Sequence, residues 1–125
     1  MKRLKPYVIF EDNRGVFLGI THDHIWKEIN IIETCANVMR GNHYHKFTTE
    51  LFYIIEGDID VEIYSLKDDL QKMEFKAKKG DIFIVEPFEV HRFKANIDSK
   101  WINMLSEILD KEAPDIYRYQ PEGEI

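Results

Sequence analysis

Cysteine occurs once in this chain, at Cys35, so an intrachain disulfide is impossible and nothing in the composition points to an oxidising compartment. A basic excess is missing as well. Lys and Arg number 17 against 23 Asp and Glu, a formal net charge of −6, whereas a protein that grips a phosphate backbone gathers cations on one face to displace counterions. Nucleic acid is therefore not an expected partner. No stretch reaches the roughly 18 to 20 apolar residues that a membrane-spanning helix needs. Lys2, Arg3 and Lys5 are followed by Pro6 and the charged Glu11, Asp12 and Arg14, which is not the apolar centre of a signal peptide. A soluble, cytoplasmic protein with no membrane partner is the expectation. Repeats, linkers and low-complexity segments are also lacking.

What is present is the composition of an ordinary globular domain, with 44% hydrophobic and 32% charged residues. A length of 125 residues suits one filled core and not two, so residues 1–125 are expected to form a single domain. Period two dominates the chain, the spacing that sends alternate side chains to opposite faces of a strand. Ile29 to Glu33 and Leu51 to Ile55 are β-branched runs, the second ending in the turn signal Glu56-Gly57-Asp58. Ile59, Val61 and Ile63 alternate with Asp60 and Glu62, which describes a half-buried strand. The pattern repeats at Met73, Phe75 and Ala77. Lys79-Gly80-Asp81 then turns the chain into Ile82 to Val85, and Pro87 ends that run. His91, Phe93 and Ala95 share one face of a further strand, and Trp101 to Leu105 forms a last apolar one. Many short strands separated by turns indicate an all-β sandwich or barrel. Only Ser106 to Ala113, stopped by Pro114, is expected to form a helical turn.

The chemistry-bearing residues cluster in Arg40-Gly41-Asn42-His43-Tyr44-His45-Lys46-Phe47-Thr48-Thr49-Glu50. His43 and His45 are two apart, so on a strand both imidazoles project from one face. Glu50 opens the next strand on the face shared with Phe52 and Ile54. His91 shares its face with Phe93, and a closed sheet can bring it to the same interior point. Three neutral imidazoles and one carboxylate suit Zn²⁺, Ni²⁺, Fe²⁺ or Mn²⁺, with positions open for water or substrate. His22 and His24, beside Asp23, are assigned to a loop without function. Cys35, among apolar neighbours, reads as a small buried thiol. The cationic run Lys76, Lys78 and Lys79 reads as a solvated strand edge.

The spacing His-x-His, four residues, Glu, six residues, Gly resembles the first motif of the cupin superfamily, a small jelly-roll barrel or double-stranded β-helix. Gly80-Asp81, Pro87 and His91 resemble its second motif, with Glu89 where a glycine is usual. Asp12-Asn13-Arg14-Gly15 together with Arg40-Gly41-Asn42-His43-Tyr44-His45-Lys46 is similar to paired signatures of cupins that rearrange nucleotide-linked keto sugars. These are the dTDP-4-keto-6-deoxyhexose 3,4-ketoisomerases, the dTDP-4-dehydrorhamnose 3,5-epimerases and the cupin half of a capsular polysaccharide enzyme. The likeness extends over about residues 8 to 119, including Asp115-Ile116-Tyr117-Arg118-Tyr119.

The resemblance implies an isomerase or epimerase of a nucleotide-linked 4-keto-6-deoxy sugar, with a dTDP-sugar favoured, in surface polysaccharide or deoxysugar synthesis, acting as a homodimer. Moving a centre beside a ketone requires removing an α proton, passing through an enediolate and returning a proton, work that an imidazole can do near neutral pH. By that resemblance His43 is the leading base and His45 a second proton carrier, with Tyr44 and Lys46 as further proton-transfer groups. Arg40, Lys46 and Arg14 are then expected to bind substrate, the cations meeting the diphosphate or the developing oxyanion. Asp12-Asn13-Arg14-Gly15 reads equally as a turn with a surface ion pair. The ketoisomerases carry three residues between the second histidine and the glutamate, and this chain carries four, closer to the metal-binding half of the capsular enzyme. The alternative is thus a metal-binding cupin, with His43, His45, Glu50 and His91 as ligands, serving as a small-molecule-binding module or a metal-dependent oxygenase. A nitrogen bound to metal cannot use the same lone pair to take a proton, so the two readings compete for His43 and His45.

Overall fold

The computed structural model describes residues 1–67 and 71–120 as two five-stranded antiparallel sheets and a separate hairpin. The strands are β1 (Lys2–Leu4), β2 (Val8–Asp12), β3 (Gly15–Gly19), β4 (Glu28–Thr34), β5 (Met39–Tyr44), β6 (Glu50–Glu56), β7 (Asp58–Ser65), β8 (Lys72–Lys78), β9 (Ile82–Val85), β10 (Glu89–Ala95), β11 (Ser99–Leu105) and β12 (Tyr117–Arg118). One sheet runs β1-β9-β6-β11-β4, the other β12-β5-β10-β7-β8, and β2-β3 stands apart. The chain crosses from sheet to sheet at successive turns, which makes a jelly roll. No helix among the described residues is long and apolar enough to cross a membrane.

The period-two reading of the sequence is what builds the interior. Ile59, Val61 and Ile63 of β7 turn inward, as do Phe52 and Ile54 of β6, Phe83 and Val85 of β9, Phe93 of β10 and Trp101 of β11. Phe52, Phe83 and Phe93 pack in stacked and edge-to-face pairs with centroids 5.0 to 6.0 Å apart. A second apolar layer lies on the outside of the first sheet, where Leu51, Ile82 and Ile84 are covered by Leu4, Ile20 and Trp26 of the chain's own N-terminal part. Gly57 makes the β6–β7 turn at φ +149, and a Cβ there would strike Ser99.

Two sequence expectations fail here. Residues 106–113 form bends and no helical turn. Asp110 Oδ1 takes the amides of Glu112 and Ala113, and Glu28 takes the amide of Leu109, so side chains claim donors that a helix would use. Cys35 is exposed and not buried. Thr34 is the inward residue at the end of β4, so Cys35 takes the outward parity, where its carbonyl accepts the turn bond from the Val38 amide.

Candidate active site

Both sheets contribute to one cavity of about 600 Å³. Its reactive wall comes from β5 and β10, whose register sets His43 opposite His91 and Arg40 opposite Phe93. Residues 40 and 43 differ by three, so an unbroken strand would point them to opposite faces. A bulge resolves this. Gly41 pairs with Arg92 while Asn42 has no partner on β10, and both adopt positive φ, at +96 and +63. The extra residue restores the parity, and Arg40 and His43 both line the cavity. Only glycine fits at 41, because a Cβ would lie 2.6 Å from the His91 carbonyl oxygen. Asn42 tolerates the left-handed conformation and is held by Arg92, whose guanidinium donates to its Oδ1 at 3.1 Å and to the Tyr64 hydroxyl at 3.3 Å.

Within the cavity His43, His45, His91 and Glu50 converge. The ring centroids lie 4.6 Å (His43 to His91), 5.1 Å (His43 to His45) and 5.4 Å (His45 to His91) apart. Glu50 Oε1 stands 3.0 Å from His45 Nε2, and Oε2 stands 3.3 Å from His91 Nε2. Backbone carbonyls settle the tautomers, since a carbonyl only accepts. His45 Nδ1 donates to Asp115 O and His91 Nδ1 donates to Glu89 O, which aims both Nε2 atoms at the carboxylate. Two imidazole lone pairs facing a carboxylate repel it, so positive charge, as protons or a cation, belongs between them. Consistently, His45 Nε2 and Glu50 Oε2 are buried with no hydrogen-bond partner among the described residues.

Electrostatics separate the three histidines. Burial, followed by the charges of His91 and His45, pushes His43 down to about 4, so its ring is neutral at physiological pH. Burial also acts against the charged form of His45, but the hydrogen bond and charge of Glu50 and the Asp115 carbonyl outweigh it and raise its pKa. Glu50 would be raised by burial, yet its bonds to His45 and His91 hold it far below the usual carboxylate range.

The remaining sequence candidates fall elsewhere. Tyr44 and Lys46 do not line the cavity. Tyr44 follows His43 on the opposite face, stacked between Phe88 and Tyr117, and Lys46 Nζ sits 4.2 Å from the Tyr117 ring centroid. Arg40 lines the cavity while its guanidinium donates to Thr34 Oγ1 and the Glu33 carbonyl. Arg14 lies at the exposed β2–β3 turn, paired with Asp12 Oδ2 at 2.6 Å, away from the cavity. Three residues to which the sequence reading gave no role also matter. Arg118 pairs with His43 in register and lines the cavity; Asn103 lines it too. Asp115 accepts the amides of Lys46 and Phe47 and the Thr48 hydroxyl, clamping the segment that carries His45. Asn103 carried a signal in the sequence, as the one amide among the inward positions Ser99, Trp101, Asn103 and Leu105 of β11.

The pattern of the family described as the polysaccharide biosynthesis C-terminal domain matches residues 10–117. The chain belongs to that family. No curated protein matches it in sequence. Among solved structures, this polysaccharide biosynthesis domain is similar to the capsular polysaccharide assembling protein CapF from Staphylococcus aureus, at 21% identity and TM-score 0.69. That match covers 94% of this chain and 33% of CapF, so the domain spans about a third of that protein's length. It is also similar to a dTDP-4-dehydrorhamnose 3,5-epimerase from Bacillus anthracis, solved with TDP and pyrophosphate bound, at 18% identity and TM-score 0.80 over 96% of this chain and 78% of that one. A 3,4-ketoisomerase from Helicobacter canadensis matches at 16% identity and TM-score 0.77, over 91% and 87%. The fold is thus that of a small cupin, as the motif spacing implied.

Proposed function

We propose that this domain is an isomerase or epimerase of a nucleotide-linked 4-keto-6-deoxy sugar, a dTDP-sugar being favoured, in surface polysaccharide or deoxysugar synthesis. One observation carries the reading: a neutral, half-buried His43 stands in a cavity whose other charged lining groups are the acceptor Glu50 and the cations Arg40, Arg92 and Arg118. The arginines suit the diphosphate of a nucleotide sugar. With its lone pair free, His43 takes the proton from the carbon beside the ketone; the electron pair left behind forms the C=C bond of an enediolate and the keto oxygen takes the charge. Reprotonation on the other face, or on the neighbouring carbon, gives epimer or isomer. His45 donates from Nδ1 to Asp115 O and faces Glu50 with Nε2 at 3.0 Å; the raised pKa that Glu50 gives it favours a proton between the two, and that charge would act on the developing oxyanion.

A second reading is favoured by the facing Nε2 and carboxylate atoms. Ligands held at 2.0–2.2 Å from a divalent ion lie about 2.8–3.1 Å from one another in octahedral geometry and about 3.3–3.6 Å in tetrahedral, and the His45–Glu50 and His91–Glu50 separations of 3.0 and 3.3 Å match these values. The three histidines offer ligand atoms within 4.8 Å of one another. His43, His45, His91 and Glu50 therefore fit Zn²⁺, Ni²⁺, Fe²⁺ or Mn²⁺, which when bound would polarise a keto oxygen as a Lewis acid. Metal analysis of protein purified without added metal, joined to deuterium wash-in from D₂O into dTDP-4-keto-6-deoxyglucose, tests both. Wash-in that survives chelation and disappears in His43→Ala is expected. One metal per chain with no wash-in would replace the isomerase with a metal-binding module or, if oxygen is consumed, an oxygenase.

A homodimer belongs to the same proposal. On β4, Ile29 and Ile31 present apolar side chains on the outer face, next in register to Met104 and Ile102 of β11. The β2–β3 hairpin separately exposes Ile9, Phe10 and Phe17, and exposed apolar groups of this kind suit contact with a second copy.

A further inference from the structure

The wall opposite the histidines carries two hydrogen-bond donors without acceptors. Trp101 Nε1 and Asn103 Nδ2, both inward on β11 and both in residues that line the cavity, have no protein partner among the described residues, and their side chains are 1% and 5% exposed. Leaving a buried donor unpaired is costly, so such groups mark where a ligand atom belongs.

For Asn103 the polarity follows from its neighbours. An asparagine amide can present oxygen or nitrogen, and the choice must come from the network. Glu28 is an acceptor-only carboxylate; its Oε1 takes the Leu109 amide at 3.1 Å and its Oε2 takes one hydrogen of Asn30 Nδ2 at 2.9 Å. The other hydrogen of that NH₂ goes to Asn103 Oδ1 at 3.3 Å. With its oxygen used in this way, Asn103 has only its NH₂ left to offer the cavity. The register sets Asn103 beside Phe52, two pairs along from Glu50, which faces Leu105, so this donor is the next inward position to the carboxylate of the histidine cluster. Arg40 and Arg118, by contrast, are exposed and suit the phosphates.

We propose that Asn103 is a specificity-determining contact whose Nδ2 donates to an oxygen on the sugar ring of the ligand, and that Glu28 and Asn30 are positioning residues that keep the amide in this orientation. With Trp101 Nε1 on the same strand face, these two positions accept a carbon bearing a keto or hydroxyl oxygen and disfavour one bearing an ammonium, which would face two donors there. The inference rests on the nucleotide-sugar reading and deepens it.

Calorimetric affinities for dTDP and for dTDP-4-keto-6-deoxyglucose, measured on the same protein, separate the two. Wild type is expected to bind the sugar nucleotide more tightly than dTDP. Asn103→Asp, which keeps the bond from Asn30 but presents an acceptor to the cavity, should lose roughly tenfold or more for the sugar nucleotide and stay within about twofold of wild type for dTDP. The double variant Glu28→Gln with Asn30→Asp reverses the relay using residues of equal size, so Asn103 turns its oxygen inward. The same selective loss is expected there, with the thermal midpoint held. In the wild type, the Asn103 side-chain NH₂ resonances should move on adding the sugar nucleotide and not dTDP. Equal losses for both ligands, or none, in variants that fold overturn the Asn103 proposal while leaving the isomerase reading intact. Should Asn103→Asp fail to fold, an unmoved NH₂ signal overturns it instead. Wild type that binds neither ligand sinks the functional reading, and this inference with it.

Discussion

The two ends of the jelly-roll interior are built from the same strands and do opposite work. At one end, Ile54, Ile59 and Phe83 close a core with no side-chain polar group to satisfy. At the other, the same strands place Glu50 two residues before Phe52, Asn103 two residues after Trp101, and His91 two residues before Phe93. Inward parity delivers both sets, so the alternation that buries apolar side chains also aims the reactive ones. The apolar end supplies the free energy of folding, and the polar end draws on it to hold like groups together and to keep donors unpaired.

That division can be broken from either side. Phe83→Ala, deep in the apolar end, should cost about 3–5 kcal/mol through lost burial and a residual cavity, read as a fall in the denaturant midpoint. The folded fraction should keep its deuterium wash-in rate. His43→Gln should behave in the reverse way, with stability within about 1 kcal/mol of wild type and wash-in reduced roughly 10²- to 10⁴-fold, the usual share of a general base. A Phe83→Ala protein that folds yet has lost wash-in, or a His43→Gln protein with full wash-in, would erase the distinction between the ends.

A pH titration sharpens the same contrast. His43 is held near 4 when folded against about 6.5 in an unfolded chain. Between those values the unfolded state binds more protons, so this group makes stability fall as pH falls from about 6.5 towards 4, by a few kcal/mol at most. The difference in unfolding free energy between wild type and His43→Gln should therefore shrink or change sign across that window. Its activity counterpart is an acid limb of the wash-in rate well below pH 6.5. An acid limb centred at 6.5 would mean that His43 is as solvated as an ordinary histidine, or is not the base.

How much of this was legible beforehand follows from what a one-dimensional pattern contains. Strand parity placed Ile59, Val61, Ile63, His91, Phe93 and the His43–His45 pair, because alternation needs no knowledge of partners. Parity is silent wherever it changes or the partner lies far away. The bulge at Gly41 and Asn42 brings Arg40 to the face of His43, and the same parity sends Tyr44 outward to Tyr117, a residue 73 positions later that pairs with it only after β12 docks. Lys46 follows Tyr44 onto that ring. The roles of Asp115 and Asn103 escaped a motif search for a related reason: one acts through backbone amides and the other through a relay from Glu28, and neither leaves a spacing motif.

Asp115 offers a smaller test. Its carboxylate is lowered despite partial burial by the Lys46 and Phe47 amides and the Thr48 hydroxyl, and its carbonyl fixes the His45 tautomer. Asp115→Ala should cost about 1–2 kcal/mol for the lost bonds to the amides. Long-range nitrogen–proton spectra should then show His45 no longer held as the Nδ1–H species. An unchanged His45 signal would mean that the Asp115 carbonyl keeps its place without the carboxylate clamp.

The smallest effect is expected at Arg14, and it separates two uses of one motif. Its guanidinium and amide both bond to Asp12 across the β2–β3 turn, at 2.6–3.0 Å, and the side chain is 80% exposed. An exposed pair of this kind is screened by water and contributes little, so Arg14→Ala should barely move the unfolding midpoint. If Arg14 is only a turn residue, wash-in and dTDP affinity will also stay at wild-type values at every protein concentration. A loss of affinity with stability unchanged would mean that the hairpin reaches a ligand in the assembled dimer, since Arg14 lies away from the cavity of its own chain.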